Sequence, residues 1–210
     1  MEARRTQEER SASTRAAIFS AAVACLCELG YFATTTVRVA ERAGVSRGAM
    51  LHHFPTKRDL IFAVTEHIMD LNHAFFDEEG ARIADGFERY AALPDMRWKL
   101  ALQPHGVALM EIMVGARSDP VVREGYVEFQ RGLSAKQGAR LAAKAEEAGL
   151  TLTDEQRAIS RAIVFAIRGM SIEKQLNPEF DAEPVMAVLR ELRRSTMAAA
   201  ARPPSRLRRA

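Results

Sequence analysis

Residues 34–57, TTTVRVAERAGVSRGAMLHHFPTK, spell two short helices folded over a tight corner, and this stretch constrains the fold more than any other. Thr35 is placed as an N-cap, its hydroxyl able to accept from a free N–H of the first turn, and Val39, Ala40 and Ala43 form a narrow apolar face. The first short helix therefore spans about 36–43. Gly44 follows as the residue that can take positive φ, Val45 plugs the corner, and Ser46 caps the next helix. That helix, Arg47 to His53, turns Ala49, Met50 and Phe54 inward. It leaves Arg47, Gly48, Leu51, His52 and His53 for another partner. Pro55 stops it, and Lys57 stands just inside the helix that follows. The pattern is a helix-turn-helix.

Small residues at Gly48 and Ala49 let this helix lie close to whatever it docks on, and a DNA major groove accepts one such helix. Between residues 34 and 58 the charged residues are Arg38, Arg42, Arg47, Lys57 and Arg58 against Glu41 alone. Any small helical hairpin can carry such a corner and a few arginines. The wider run is more specific. Gly30-Tyr31, Thr34-Thr35, Ala40, Ala43-Gly44-Val45-Ser46, Gly48, His52-His53-Phe54, Pro55, Lys57 and Leu60 together resemble the N-terminal DNA-binding domain of the TetR family of transcriptional regulators, over about residues 12–72.

The resemblance implies an all-α protein with an N-terminal three-helix DNA-binding domain and a C-terminal helical domain for ligand binding and dimerisation. It implies a homodimeric repressor that binds a palindromic double-stranded operator and is released by a small-molecule effector. The DNA-contact set is Thr35, Arg38, Ser46, Arg47, Gly48, Leu51, His52, His53 and Lys57. Of these, Arg47 is expected to read bases, and Thr35, His52, His53 and Lys57 to position phosphates. One position departs from the family: Leu51 stands where an aromatic, usually tyrosine, is common, so a phenolic phosphate contact gives way to an apolar side chain able to touch a thymine methyl.

At 210 residues, 48% of them apolar, the chain can bury a sizeable core. The expected organisation is a disordered arm over 1–11, the DNA-binding domain over 12–72, the effector and dimerisation domain over 73–200, and a disordered basic tail over 201–210. The charged N-terminus argues against a signal peptide, and no apolar run reads as a membrane span, so a cytoplasmic protein without a membrane partner is expected. The net charge of +3 is unevenly spread, with seven Lys or Arg against one acidic residue over 190–210.

A first helix is expected from about Ser13 to Leu29, with Ile18, Ala22, Cys25, Leu26 and Leu29 on one face, ended by Gly30. Tyr31 and Phe32 should then pack over the helix-turn-helix. Cys25 and Cys27 diverge on that helix, which excludes a mutual disulfide or a shared metal; Cys25 reads as buried and Cys27 as exposed. A helix opening at Thr56 carries Leu60, Ile61, Val64, Ile68 and Leu71 on one face. Lys57 and Arg58 at its start have the wrong sign for the helix dipole, a conflict that a DNA phosphate would relieve. This helix is the candidate transmission element.

Turn signals at 79–80, 93–95, 118–120, 148–149 and 177–178 cut the remainder into about five helices, and no stretch alternates with period two. Helices over 96–117 and 120–148 mix aromatic and thioether side chains that can line an adaptable cavity. Trp98, Leu102, Leu109, Met110, Met113, Tyr126, Phe129 and Phe165 are the pocket candidates, although a Met-containing core without a cavity explains the same spacing. The final two helices offer Ile159, Ala162, Ile163, Ala166, Met170, Val185, Val188, Leu189 and Leu192. These are either intramolecular core or, as the resemblance implies, a dimer interface. The five histidines make no metal-binding spacing, and no nucleophile-elbow, dinucleotide or P-loop motif occurs, so neither a metal, a cofactor nor an enzymatic activity is expected. Two alternatives stay open: a helix-turn-helix protein without a small-molecule effector, governed by a protein partner or by DNA architecture, and a carrier or enzyme using the C-terminal domain.

Overall fold

The computed structural model describes residues 6–200, with side chains to Met197. Among the described residues the chain is helical throughout: α1 (Gln7–Ala33), α2 (Thr36–Ala43), α3 (Arg47–His53), α4 (Lys57–Ala81), α5 (Gly86–Ala91), α6 (Leu93–Ala101), α7 (Pro104–Ser118), α8 (Pro120–Glu147), α9 (Asp154–Leu176) and α10 (Glu183–Ala200). They form two compact units. Among the described residues, one comprises 6–72 together with Gln103–Leu133, the other His73–Leu102 together with 134–200. Residues 103–133 therefore pack with the helix-turn-helix, a grouping that a division at residue 72 does not anticipate.

The first unit is built on an apolar cluster in which Ile18, Leu26, Val39, Met50, Leu60, Val64, Ile68 and Ile112 are all buried. Alpha1 begins earlier than expected, at Gln7, because Thr6 and Glu9 form a reciprocal capping box. Residues 7–11 are thus helical, whereas 1–5 and 201–210, expected to be disordered, lie outside the described residues. By length and apolar content alone α1 could cross a membrane. Its apolar face is instead spent in this core, on Ile18, Phe19, Ala22, Cys25 and Leu26.

Gly30 breaks the helix at φ 74°, and the turn drives Tyr31 inward to 2% exposure. Phe32, expected to pack beside it, is 65% exposed. The Tyr31 backbone N–H donates to Glu111 at 3.1 Å, and its hydroxyl donates to Asp119 at 2.9 Å. Its ring lies against Gly115 of α7, where a Cβ would fall 2.0 Å from Tyr31 Cγ. Burial, with the Asp119 carboxylate beside it, pushes the Tyr31 phenol well above its ordinary range. For Asp119 burial acts to raise the pKa. The Tyr31 hydroxyl, the Val122 and Val121 N–H groups and the Lys57 charge outweigh it and hold the carboxyl below its usual value.

The second unit has two apolar clusters. Phe76, Tyr90, Leu93, Met96, Leu100, Leu150 and Met197 form one, and Ile163, Ile167, Met170, Met186 and Leu189 the other. Within it α6 packs against both α9 and α10. A single helix over 96–117 is not what forms: the chain breaks at Leu102–Gln103 because Pro104 cannot donate to a preceding turn and instead opens α7. Alpha9 starts where expected, with Thr153 and Gln156 in a capping box.

The Tyr31–Gly115 contact leaves no room for a methyl group. Gly115→Ala should lower the unfolding free energy by about 1–3 kcal/mol through overpacking. Gly132→Ala, whose Cβ would meet nothing within 4 Å, should be neutral or gain up to about 1 kcal/mol from helix propensity. Urea unfolding of the two variants side by side checks this.

Candidate nucleic-acid interface

Local hydrogen bonds make the helix-turn-helix corner. The Thr35 hydroxyl accepts from Arg38 N–H at 3.2 Å, and the Ser46 hydroxyl accepts from Ala49 N–H at 3.1 Å. Between these caps Gly44 sits in the left-handed region (φ 66°, ψ 28°), and the Val45 N–H returns to the Ala40 carbonyl at 3.1 Å. Val39, Met50 and Phe54 are at most 2% exposed and pin both helices to the unit's core. Alpha3 consequently turns one face outward: Arg47, Gly48, Leu51 and His52 are exposed.

Arg47 makes no hydrogen bond or ion pair among the described residues, and Arg38 spends one N–H on the Ala33 carbonyl at 3.3 Å. A Cβ at Gly48 would meet only Ser46 Oγ, at 3.9 Å. Nothing inside the chain requires glycine there. Two basic residues are held by partners inside the unit: Arg42, which is outside the expected contact set, and Lys57, which is in it. Arg42 is committed to Glu28 through two contacts of 2.5 Å. Lys57 is half-buried, its ammonium donating to the Tyr31 carbonyl at 2.9 Å and lying 4.1 Å from the Tyr31 ring centre. Burial lowers the Lys57 pKa against a raising influence from Asp119. Lys57 thus braces Tyr31 instead of facing outward beside Arg47.

The charge conflict expected at the start of α4 is also settled internally. Asp59 sits in its first turn and accepts from both the backbone N–H and the hydroxyl of Thr56. His53 is half-buried beside Phe54. Burial, then the neighbouring His52 and Arg15, lower its pKa, so its ring is neutral near pH 7. Arg15 of α1, a residue outside the expected contact set, lies 5.5 Å from the Phe54 ring and places a cation at the end of α3.

Residues 18–64 match the model of the bacterial regulatory proteins of the tetR family. An uncharacterized HTH-type transcriptional regulator of Mycobacterium tuberculosis is 34% identical over 133 residues, covering 63% of this chain and 68% of that protein. This chain belongs to the TetR family of transcriptional regulators. The HTH-type transcriptional regulator CymR of Pseudomonas putida is 33% identical over 122 residues, 58% of this chain; the match spans 60% of CymR's own length. Among solved structures, a transcriptional regulator from Rhodococcus sp. Rha1 superposes with a TM-score of 0.66 at 21% identity, covering 90% of this chain and 99% of that one. The multidrug binding protein EbrR, in its complex with ethidium, gives a TM-score of 0.57 at 25% identity over 85% of this chain and 97% of its own.

The expected pocket residues divide between the two units of this TetR-family chain. In the first, Leu109 and Tyr126 pack against the core while Phe129 stacks on Phe62 with ring centres 4.4 Å apart, and Met110 and Met113 are half-buried. In the second, Trp98 joins the α9–α10 cluster, Leu102 is exposed, and Phe165 is 63% exposed.

The interface set needs correction as well. Ile163, Met170 and Leu189 are buried within this chain, and Ile159, Ala166 and Leu192 pack against them; these six are intramolecular core. Ala162, Val185 and Val188 remain exposed. They are joined by Phe165, expected in the pocket, and by Gly169, Ile172 and Leu176, which the expected set does not include; the four continue from Ala162 at offsets 3, 7, 10 and 14, a single outward stripe of α9. That period is present in the sequence beside the second apolar stripe of α9, Ile159–Ile163–Ala166–Met170.

Lys57→Met should remove the Tyr31 brace and cost about 1–3 kcal/mol, the penalty for stripping a hydrogen bond from a buried group. Arg47→Ala, at an exposed position without internal partners, should stay within about 0.5 kcal/mol of the parent. Denaturant midpoints of the two variants separate a bracing residue from one directed at an external partner.

Proposed function

We propose that this chain is a cytoplasmic DNA-binding repressor that acts as a homodimer on a near-palindromic operator and is released by a small-molecule effector. The observation that carries the DNA-binding reading is the outward face of α3, where Arg47 has its full donor set uncommitted beside a glycine that no internal contact explains. A bare backbone at Gly48 lets the helix approach a groove wall, and an unpaired guanidinium can address guanine O6 and N7 side-on. Thr35, Ser46 and His52 flank it as backbone-positioning groups, and Leu51 offers an apolar surface for a thymine methyl. Lys57 is left out of the contact set because its ammonium is spent on Tyr31.

The homodimer reading rests on the outward stripe of α9, Ala162–Phe165–Gly169–Ile172–Leu176, with Val185 and Val188 of α10. A Cβ at Gly169 would meet nothing within 4 Å, so the chain's own packing does not require glycine there either. A small residue in an apolar helical stripe permits close approach of a second helix, and a two-fold pairing of α9 and α10 gives a four-helix arrangement. A two-fold dimer on B-DNA sets its recognition helices about 34–36 Å apart, one helical turn, which is why the operator should be near-palindromic. Release by a ligand requires that ligand to prefer the free dimer by the factor with which it weakens DNA binding, typically about 1–3 kcal/mol.

Fluorescence anisotropy on the intergenic DNA beside its own gene tests the DNA reading. Arg47→Ala should cost about 1–3 kcal/mol and relax specificity at one base pair. Gly48→Ala should weaken operator binding while keeping or raising thermal stability, since alanine favours the helix by up to about 1 kcal/mol. Equal losses on operator and random DNA for Arg47→Ala would remove the base-reading role.

The interface is tested by sedimentation. Phe165→Glu or Val188→Glu should yield a folded monomer with weakened operator binding, whereas Ile163→Glu, inside the protomer, should unfold the chain. A dimer of unchanged mass for both exposed-stripe variants would place the interface elsewhere.

A further inference from the structure

Two guanidinium groups are sunk into the second unit without a carboxylate. Arg193 of α10 is 3% exposed and lies 4.7 Å from the centre of the Tyr90 ring. Arg97 of α6 lies 5.2 Å from the Phe76 ring. Phe76 and Tyr90 belong to one apolar cluster, so both cations sit over the same low-dielectric wall. The acidic groups of this unit that form ion pairs are matched to other cations: Asp95 and Glu183 to Arg190, Glu88 to Arg194, Glu147 to Arg89, Asp77 to Lys144, Glu78 to Arg82, and Glu79 to Lys99 and Arg82. Among the described residues neither Arg97 nor Arg193 pairs with a carboxylate.

The hydrogen bonds of Arg193 show where a counter-charge would fit. Its Nη1 donates to the Tyr90 hydroxyl at 3.1 Å and to Ser160 Oγ at 2.9 Å, which uses both hydrogens of that nitrogen. Neither oxygen carries a formal charge. Ser160 in turn donates to the Gln156 carbonyl, so the two hydroxyls fix the guanidinium plane. Its Nε is buried with no partner, and no bond from Nη2 is made to a described residue. Nε and Nη2 form one edge of the fork, the pair of parallel donors that grips a carboxylate or phosphate side-on. Leaving the buried Nε unpaired is costly, and so is holding a second cation nearby. Burial, followed by the charges of Arg193 and Arg168, pulls the Arg97 pKa down to about 10.

We infer that Arg193 and Arg97 are the binding site for a small oxyanion ligand, held side-on by the Nε–Nη2 edge of Arg193 and neutralised further by Arg97. The small cleft lined by Phe76, Tyr90, Met96, Arg89 and Lys144 is a poorer candidate, because Arg89 and Lys144 already have their acidic partners. As the effector site, the cluster rests on the ligand-released repressor proposed above; as an anion site, it is tested apart from it.

The test uses the full chain and its one tryptophan, Trp98, the residue after Arg97. Sodium phosphate, benzoate and citrate are titrated against sodium chloride at equal ionic strength, with benzamide as the uncharged counterpart of benzoate. At least one oxyanion should saturate a change in Trp98 emission and raise Tm, while chloride and benzamide do neither. Arg97→Met, which keeps volume and removes a buried charge, should fold and bind at least tenfold more weakly. Arg193→Lys should lose the side-on grip with a similar drop. Saturation by phosphate alone assigns a phosphorylated ligand, and saturation by benzoate or citrate a carboxylate. No saturable response from any oxyanion, or equal response in the parent and both variants, overturns the site. If the active oxyanion binds but leaves operator affinity unchanged, the anion site stands and its effector role falls. If operator release is produced only by a compound whose action Arg97→Met and Arg193→Lys do not alter, the repressor reading stands without this site.

Discussion

Tyr31 is the constraint on which the N-terminal unit depends. A glycine at positive φ turns the chain, and the residue that follows is locked by four separate partners: Glu111 on its backbone N–H, Lys57 on its backbone carbonyl, Asp119 on its hydroxyl and Gly115 against its ring. These partners come from α4, α7 and the α7–α8 junction. Pulling Glu111, Lys57 or Asp119 away leaves a polar group of Tyr31 without its match, so the node behaves as one cooperative object. The two short helices that carry the outward face emerge directly from it.

That arrangement divides the basic residues into two populations. Arg42 and Lys57 are consumed in holding the unit together, whereas Arg47 and most of Arg38 are left over. Charge counting alone treats all four alike. What distinguishes a structural cation from a recognition cation is whether folding has already supplied its acceptor. The same distinction, applied to the second unit, separates Arg190 and Arg194, each with acidic partners, from Arg193 and Arg97.

The legible parts of the fold were those set by neighbours in sequence. The bounds of α2 and α3 follow from Thr35, Gly44 and Ser46, whose caps act within four residues, and the corner emerged as read. The start of α1 was equally local, a Thr6–Glu9 box, but it was hidden by a charged composition that resembles a disordered arm. The break before Pro104 was passed over for a continuous apolar pattern. The inward turn of Lys57 could not be read at all, because its partner lies 26 residues away and only the folded chain brings them together. Alpha9 shows a different difficulty. A helix with two apolar stripes has a period on both faces, and periodicity cannot say which of them the chain keeps for itself.

Alpha2 and α3 have eight and seven residues, each well short of the length at which an isolated helix holds in water. Their backbone order is therefore borrowed from Val39, Met50 and Phe54 in the core beneath. Amide hydrogens in α3 have no cheap route to solvent through fraying of a long independent helix; they are exposed when the packing under them opens. The outward face of α3 thus inherits the lifetime of the whole unit, and a protein that has begun to melt anywhere around Tyr31 loses its grip on a partner all at once.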